Sequence, residues 1–275
     1  MTALAKLRTE RGRMSAMDRR IADYILANAQ LLRDYSSQQL ADVLKVSQSS
    51  VVKFAQRLGY KGYPDLKLSV TEAIARASAA EQTPAAAGDE DAARADALWR
   101  AKAAAARETR GLAAPRALAD VAAWIAEAGL LTVVGRGINA DAARGFAGRL
   151  TLLGRRAIAL DQPSALLASL SAAKAGDLLL VLCGHGDGDE WQQACREMRQ
   201  AGGRAVVVTR RTGRLAESAD AFLVVSAHDP QPHVEDLVYE AALRQLLDDV
   251  FLRVIAANPG VLTAFAANRK RATAT

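Results

Sequence analysis

Cysteine is almost absent from this sequence: Cys183 and Cys195 are the only two among 275 residues. Two cysteines make no disulfide framework, and their separation fits no zinc-binding pattern. A chain with so few is expected in a reducing cytoplasm. No run of about 18 apolar residues occurs, which excludes a simple transmembrane helix. The opening MTALAKLRTERGRM is charged and has no apolar stretch, so it does not read as a secretory signal. No internal repeat is visible. What is present is 51% hydrophobic and 24% charged residues, enough to bury a core. The length suits one large or two ordinary domains.

The net charge of +6 is unevenly placed. Residues 1–78 hold 13 Lys and Arg against 7 Asp and Glu, and the rest of the chain holds 23 of each sign. The whole positive excess therefore sits in the first quarter, where phosphate backbones would attract it by counterion release. Charge alone leaves a solvated basic surface as an equal alternative.

The same quarter reads as helical throughout. Ile21, Ala22, Tyr24 and Ile25 form one apolar stripe, with Asp18 as the expected cap. Leu40, Val43 and Leu44 form a second, capped by Ser36 or Ser37. Val51, Phe54, Ala55 and Leu58 form a third, capped by Ser47 and closed by Gly59. Leu66, Leu68, Val70 and Ile74 predict a last helix after Pro64. Residues 79–95, with Pro84, Gly88 and small or acidic side chains, read as a linker. Beyond it, helices are expected at about 96–110 and 115–128.

From there the pattern changes to short apolar runs at 130–135, 156–160, 177–182, 204–209 and 221–225. Helical segments separate them, and a long helix at about 233–257 closes the chain. Buried strands alternating with helices predict an α/β domain, a parallel sheet with helices on both faces. The predicted organisation is an all-α domain over 1–78, a linker over 79–95, and an α/β domain over 96–275.

Residues 37–58 carry the spacing of a helix-turn-helix: a short helix, a tight connection at Lys45, Val46 and Ser47, and a second helix. Ala41 is small where the helices cross. The outward side of the second helix then presents Gln48, Ser49, Ser50, Lys53 and Arg57. In such a motif the first residues of the second helix reach base edges. Glutamine can pair with adenine, and serine with either base type. Ser37, Gln38, Ser47 and Lys61 complete the expected DNA-contacting set, the lysines and Arg57 suiting phosphates. An ordinary helical hairpin with a polar face has the same spacing.

The stretch MDRRIADYILANAQLLRDYSSQQLADVLKVSQSSVVKFAQRLGYKGYPDLKLSV, within residues 4–78, resembles the amino-terminal domain of the RpiR/MurR family of bacterial transcriptional regulators. The resemblance is carried by RRIADYIL, by QLADVLKVSQSSVVKFAQRLGY, and by Leu58, Gly59, Tyr60, Gly62, Tyr63, Asp65, Leu66 and Lys67 in the closing pattern. It implies double-stranded DNA as a partner.

In open parallel sheets, ligands bind beyond the carboxyl ends of the strands. Two glycine-rich turns stand there. The first is Gly135, Arg136, Gly137, Ile138 and Asn139, and the second runs from Cys183 through Gly184, His185, Gly186, Asp187 and Gly188 to Glu190. Glycine lets backbone amides approach an anion, and helix N-termini favour negative charge. TVVGRGIN, GDLLLVLCGHGDGDE, RAVVVT and LAESADAFLVV, within about 118–250, resemble the SIS domain, a sugar-isomerase module. That resemblance implies a doubly wound parallel sheet of the flavodoxin type, a ligand-sensing and dimerisation domain over 96–275, and a homo-oligomer whose ligand is a small-molecule effector, a sugar phosphate. The usual serines of the turns are replaced, by Asn139 in the first and by Cys183, His185 and Gly188 in the second. Asp187, Asp189 and Glu190 add negative charge where a phosphate would sit. Three readings stay open: a phosphosugar held by unusual contacts, another ligand, or a vestigial site in a dimerisation domain.

No cofactor or metal is expected, because His185, Asp187 and Asp189 fix no coordination geometry. No acid–base or nucleophilic pair can be assembled from His185, Glu190, His228, His233 or Cys183. The sequence therefore predicts a cytoplasmic, non-enzymatic regulator, a repressor of a sugar or carbon catabolism operon that reads a palindromic operator. The rival readings are an SIS-type isomerase with an accessory helical domain, and a regulator whose second domain only dimerises.

Overall fold

The computed structural model describes residues 3–32, 35–81, 90–184 and 188–272. The chain forms two compact units, residues 1–103 and 104–275.

The first unit is helical: α1 (Ala3–Glu10), a single 3-10 turn (Arg11–Arg13), α2 (Ala16–Ala27), α3 (Ala29–Leu32), α4 (Ser37–Leu44), α5 (Gln48–Arg57) and α6 (Tyr63–Glu81). Its core gathers Leu7, Ile21, Ile25, Leu40, Phe54 and Leu66, all at most 1% exposed. A fully buried side chain of this size stabilises by about 1.5–3 kcal/mol, so the apolar stripes, not helix propensity, hold these short helices in place. Three details differ from expectation. Ser15, not Asp18, caps α2, its hydroxyl accepting from the Asp18 amide at 3.2 Å. Val43 and Leu68, counted with the apolar stripes, are 49% and 59% exposed. Both expected edges of the linker are helical, since α6 reaches Glu81 and α7 (Glu90–Leu112) begins at Glu90. Residues 82–89 lie outside the described residues.

The second unit holds the end of α7 and then α8 (Pro115–Glu127), β1 (Leu131–Gly135), α9 (Ile138–Leu152), β2 (Ala157–Leu160), α10 (Pro163–Ser171), β3 (Leu178–Cys183), α11 (Asp189–Gln200), β4 (Arg204–Thr209), α12 (Arg214–Glu217), β5 (Ala221–Val224), α13 (Pro232–Ala257) and α14 (Val261–Ala272). All strand pairs are parallel, in the order β2-β1-β3-β4-β5. The five apolar runs are therefore the five strands, in the flavodoxin-type order that the SIS-domain resemblance implies. Every residue of β1 and β3 is buried, as expected for strands covered on both faces. On one face the core joins Leu166, Leu170, Trp191, Cys195 and Met198 to Leu179, Val181 and Val207. No single helix among the described residues is long and apolar enough to cross a membrane. Together α13 and α14 have the length and composition, but they meet at 119°.

Candidate functional site

The helix-turn-helix is built from local bonds that its sequence dictates. Ser36 and Gln39 form a capping box at the start of α4: the Gln39 amide donates to Ser36 Oγ at 3.2 Å, and the Ser36 amide to Gln39 Oε1 at 2.8 Å. The helix stops at Lys45, the one described non-glycine residue with positive φ, at 52°. The Val46 amide then returns to Ala41 O at 2.9 Å, closing the turn. Ala41 is fully buried, and Val46 packs against the core. Ser47 caps α5, accepting from the Ser50 amide at 3.2 Å. At the other end, Gly59 sits at φ 79°, a left-handed geometry that glycine adopts without strain.

This frame sorts the predicted DNA-contacting residues. Gln48, Ser49 and Lys53 are exposed at the start and along the outer side of α5, and among the described residues Lys53 has no ion-pair partner. Ser47 Oγ lies 2.9 Å from Ser49 Oγ and 2.8 Å from Ser50 Oγ, so the three serines form one hydroxyl cluster. Gln48 Nε2 donates to Ser37 Oγ at 2.9 Å, which joins the two helices on their outer surface. Gln38 donates to Asp42 Oδ1 at 2.7 Å. Lys61 is exposed, and its amide donates to Asp65 at 2.9 Å.

Arg57 is different: it forms an ion pair with Asp18 of α2, whose side chain is only 10% exposed and also accepts from Ser15 Oγ at 2.9 Å. Arg20 donates to Leu44 O at 2.9 Å, and Arg11 grips Asp23 at 2.6 and 2.8 Å. Part of the basic excess thus fastens the helices to one another. Sequence reasoning took Asp18 for a helix cap and missed this pairing, because its partner lies 39 positions away.

In the second unit, β1 and β3 are neighbours, with Gly135 in register with Leu182. Both turns therefore leave adjacent strands at the point where the strand order reverses, where a crevice forms. Gly135 is obligatory: a Cβ there would stand 2.8 Å from the Asn139 backbone. Gly137 caps α9 and Gly188 caps α11, so both helix N-termini start at the crevice. Asn139, at the position of the family's first serine, is buried, and its Oδ1 accepts from Tyr239 of α13 at 2.7 Å. The Tyr239 ring also lies over Gly184, where a Cβ would meet it at 3.1 Å. Cys183 is 7% exposed and packs into the core beside Trp191. His185, Gly186 and Asp187 lie outside the described residues.

Arg136 reaches across from the first turn to α11, with Nη1 2.5 Å from Glu190 Oε1 and its guanidinium 5.1 Å from the Trp191 ring. Glu190 is thus an ion-pair partner, not an unopposed negative charge. Both side chains line a cleft of about 180 Å³ between α10 and α11, whose lining joins apolar residues, Leu160, Leu166, Leu170 and Trp191 among them, to the carboxylates of Asp161 and Glu197. On the other side of the crevice, Arg210 pairs with Glu235 and donates to Ala227 O at 2.7 Å, and His228 lies 3.6 Å from Glu235. Sequence reasoning singled out neither Tyr239 nor Trp191, since neither lies in a motif.

Comparison with known proteins follows this division. The helix-turn-helix domain of the rpiR family matches residues 1–77. The helix-turn-helix-type transcriptional regulator YfhH of Escherichia coli K12 is 32% identical over 265 residues, covering 90% of this chain and 94% of that protein. Among solved structures, the Vibrio vulnificus NanR protein complexed with ManNAc-6P covers 98% of this chain and 97% of its own, at a TM-score of 0.62 and 21% identity. The sugar isomerase domain of the RpiR transcription factor from Sphaerobacter thermophilus covers 64% of this chain and 97% of its own, at a TM-score of 0.58 and 19% identity. At these identities the structural likeness speaks for the fold, a helix-turn-helix head joined to an SIS-type sheet domain. With the helix-turn-helix match over 1–77 and a relative aligned along nine-tenths of its length, the chain belongs to the RpiR family of helix-turn-helix transcriptional regulators.

Proposed function

We propose that this regulator is a cytoplasmic repressor that binds a palindromic operator as a homo-oligomer and is released when an anionic sugar derivative, a phosphosugar, enters the crevice of its sheet domain. In this reading residues 1–78 read DNA, 79–95 connect, and 96–275 sense and self-associate. The observation that carries it is the pairing, in one chain, of a DNA-reading head with two helix N-termini and an arginine converging on the switch point of a parallel sheet. Helix N-termini favour anions. NanR, which shares the architecture, was solved with ManNAc-6P. Two symmetric heads would favour half-sites about one helical turn, or a multiple, apart. A ligand that binds one arrangement of the heads better than the other shifts DNA affinity by that difference.

The test is a gel-shift titration against the DNA upstream of the protein's own reading frame, with and without a panel of hexose and N-acetylhexosamine 6-phosphates. Retarded complexes that a phosphosugar dissolves are expected. Binding that no panel member alters would leave the sheet domain as a dimerisation module.

A further inference from the structure

The turns of this sheet domain lack the hydroxyls expected around a phosphate, so an anion there needs a positive side chain in their place. The described cations near the crevice differ in how far each is committed. Arg210 is 16% exposed and held by Glu235 and Ala227 O. Arg144 is bound to both Asp141 and Asp161. Arg136 stands between Gly135 and Gly137 on the cleft wall, is 48% exposed, and has Glu190 as its carboxylate partner. Its guanidinium lies 5.1 Å from the ring of Trp191, in the first turn of α11.

We propose that Arg136 is the anion-binding side chain of the effector site and that Glu190 is its resident counter-ion, displaced by the anionic group of the effector. This rests on the reading that the sheet domain binds an anionic sugar derivative. A half-exposed ion pair is weak, whereas a phosphate dianion can accept two hydrogen bonds from the guanidinium and carries twice the charge of a carboxylate. Glu190 loses little on release, because it lies in the first turn of α11, where the helix favours a carboxylate. The pair therefore occupies the site in the absence of ligand and sets a threshold: affinity is lowered by whatever displacing Glu190 costs. The rest of the cleft is then left to the body of the ligand: apolar side chains for its carbon faces, Gln162 and Gln193 for its hydroxyls, with Asp161 already paired to Arg144.

The test uses the full-length protein as wild type, Arg136→Ala, Arg136→Lys and Glu190→Gln. Each is titrated by calorimetry with ManNAc-6P, glucose 6-phosphate, the two unphosphorylated sugars and inorganic phosphate. Unfolding midpoints close to wild type show that the half-exposed changes leave the fold intact. Glu190→Gln is expected to tighten the phosphorylated ligands about tenfold while leaving the unphosphorylated sugars unchanged, and Arg136→Ala to weaken them by about tenfold or more, with Arg136→Lys between. With Trp99 and Trp124 replaced by phenylalanine, the remaining Trp191 fluorescence should change on binding, and not when Arg136→Ala is added. Wild-type binding that Arg136→Ala leaves intact, or that Glu190→Gln weakens, overturns this proposal while the functional reading stands. No phosphosugar binding by wild type or Glu190→Gln overturns both.

Discussion

The phenol of Tyr239 donates a hydrogen bond to the amide oxygen of Asn139 at 2.7 Å, and both side chains are buried. One side chain of α13 thereby touches both glycine-rich turns, bonding to the first and lying over Gly184 of the second. Burial, with the nearby Cys183 thiol, raises the Tyr239 pKa well above the ordinary tyrosine value, so the hydroxyl stays protonated and donates. The Arg210 guanidinium stands 5.6 Å from the same ring. This bond explains why an asparagine can replace the serine without leaving a buried polar group unpaired.

Removing the hydroxyl should therefore cost stability. Tyr239→Phe leaves Asn139 Oδ1 without its donor, an expected loss of about 1–3 kcal/mol read from the urea midpoint. A double-mutant cycle with Asn139→Ala should show coupling of at least about 0.5 kcal/mol, and additive effects would mean that the bond contributes nothing.

Lys53 and Arg57 should separate in their effects. Lys53→Ala is expected to weaken operator binding and flatten its dependence on log salt by about one unit, with the unfolding midpoint unchanged. Arg57→Ala should also lower stability, by about 1 kcal/mol, because it leaves the Asp18 carboxylate with Ser15 alone; the half-exposed arginine keeps the figure small. Equal stability of the two variants, measured by urea unfolding, would contradict the role given to Asp18.

Two glycines should respond in opposite directions to alanine. At Gly135 the added methyl meets the Asn139 backbone, an expected cost of about 1–3 kcal/mol. At Gly145, exposed within α9 and with nothing within 4 Å of a new Cβ, alanine should stabilise by about 0.5–1 kcal/mol. Thermal unfolding of the two variants gives the signs directly.

Alkaline pH should destabilise the second unit through Cys195. Burial pushes its thiol from 9.0 up to about 11, so the folded state keeps a proton that the unfolded chain gives up. The stability this contributes is fully present below pH 9 and falls as pH rises from about 9 to 11. Urea midpoints at pH 8 and pH 10.5 should show the fall, and Cys195→Ala should reduce it. At pH 8 the native thiol should resist alkylation and react only on unfolding.

The elements that could be read from the sequence are those whose signal is local. Periodicity placed all five strands, and Ser36, Ser47 and Gly59 marked helix ends, because a cap bonds within three residues of itself. The errors arose where an apolar side chain has no neighbour to bury it. Val43 and Leu68 fit a helical stripe yet face outward, since burial depends on what lies opposite and not on spacing. The charge partition was legible as a sum but not as an arrangement: Arg11, Arg20 and Arg57 bind partners within the same unit.

By itself, the sequence determined that this chain carries a DNA-reading helix pair and an α/β sheet domain with two glycine-rich turns. Those features depend on spacing, chain chirality and local hydrogen bonds, all fixed within a few residues. Only the tertiary structure decided what fills the turns. Tyr239 reaches Asn139 from 100 positions away and Glu190 reaches Arg136 from 54. Contacts at that separation come from strand order and from helices crossing over the sheet, so no local pattern announces them.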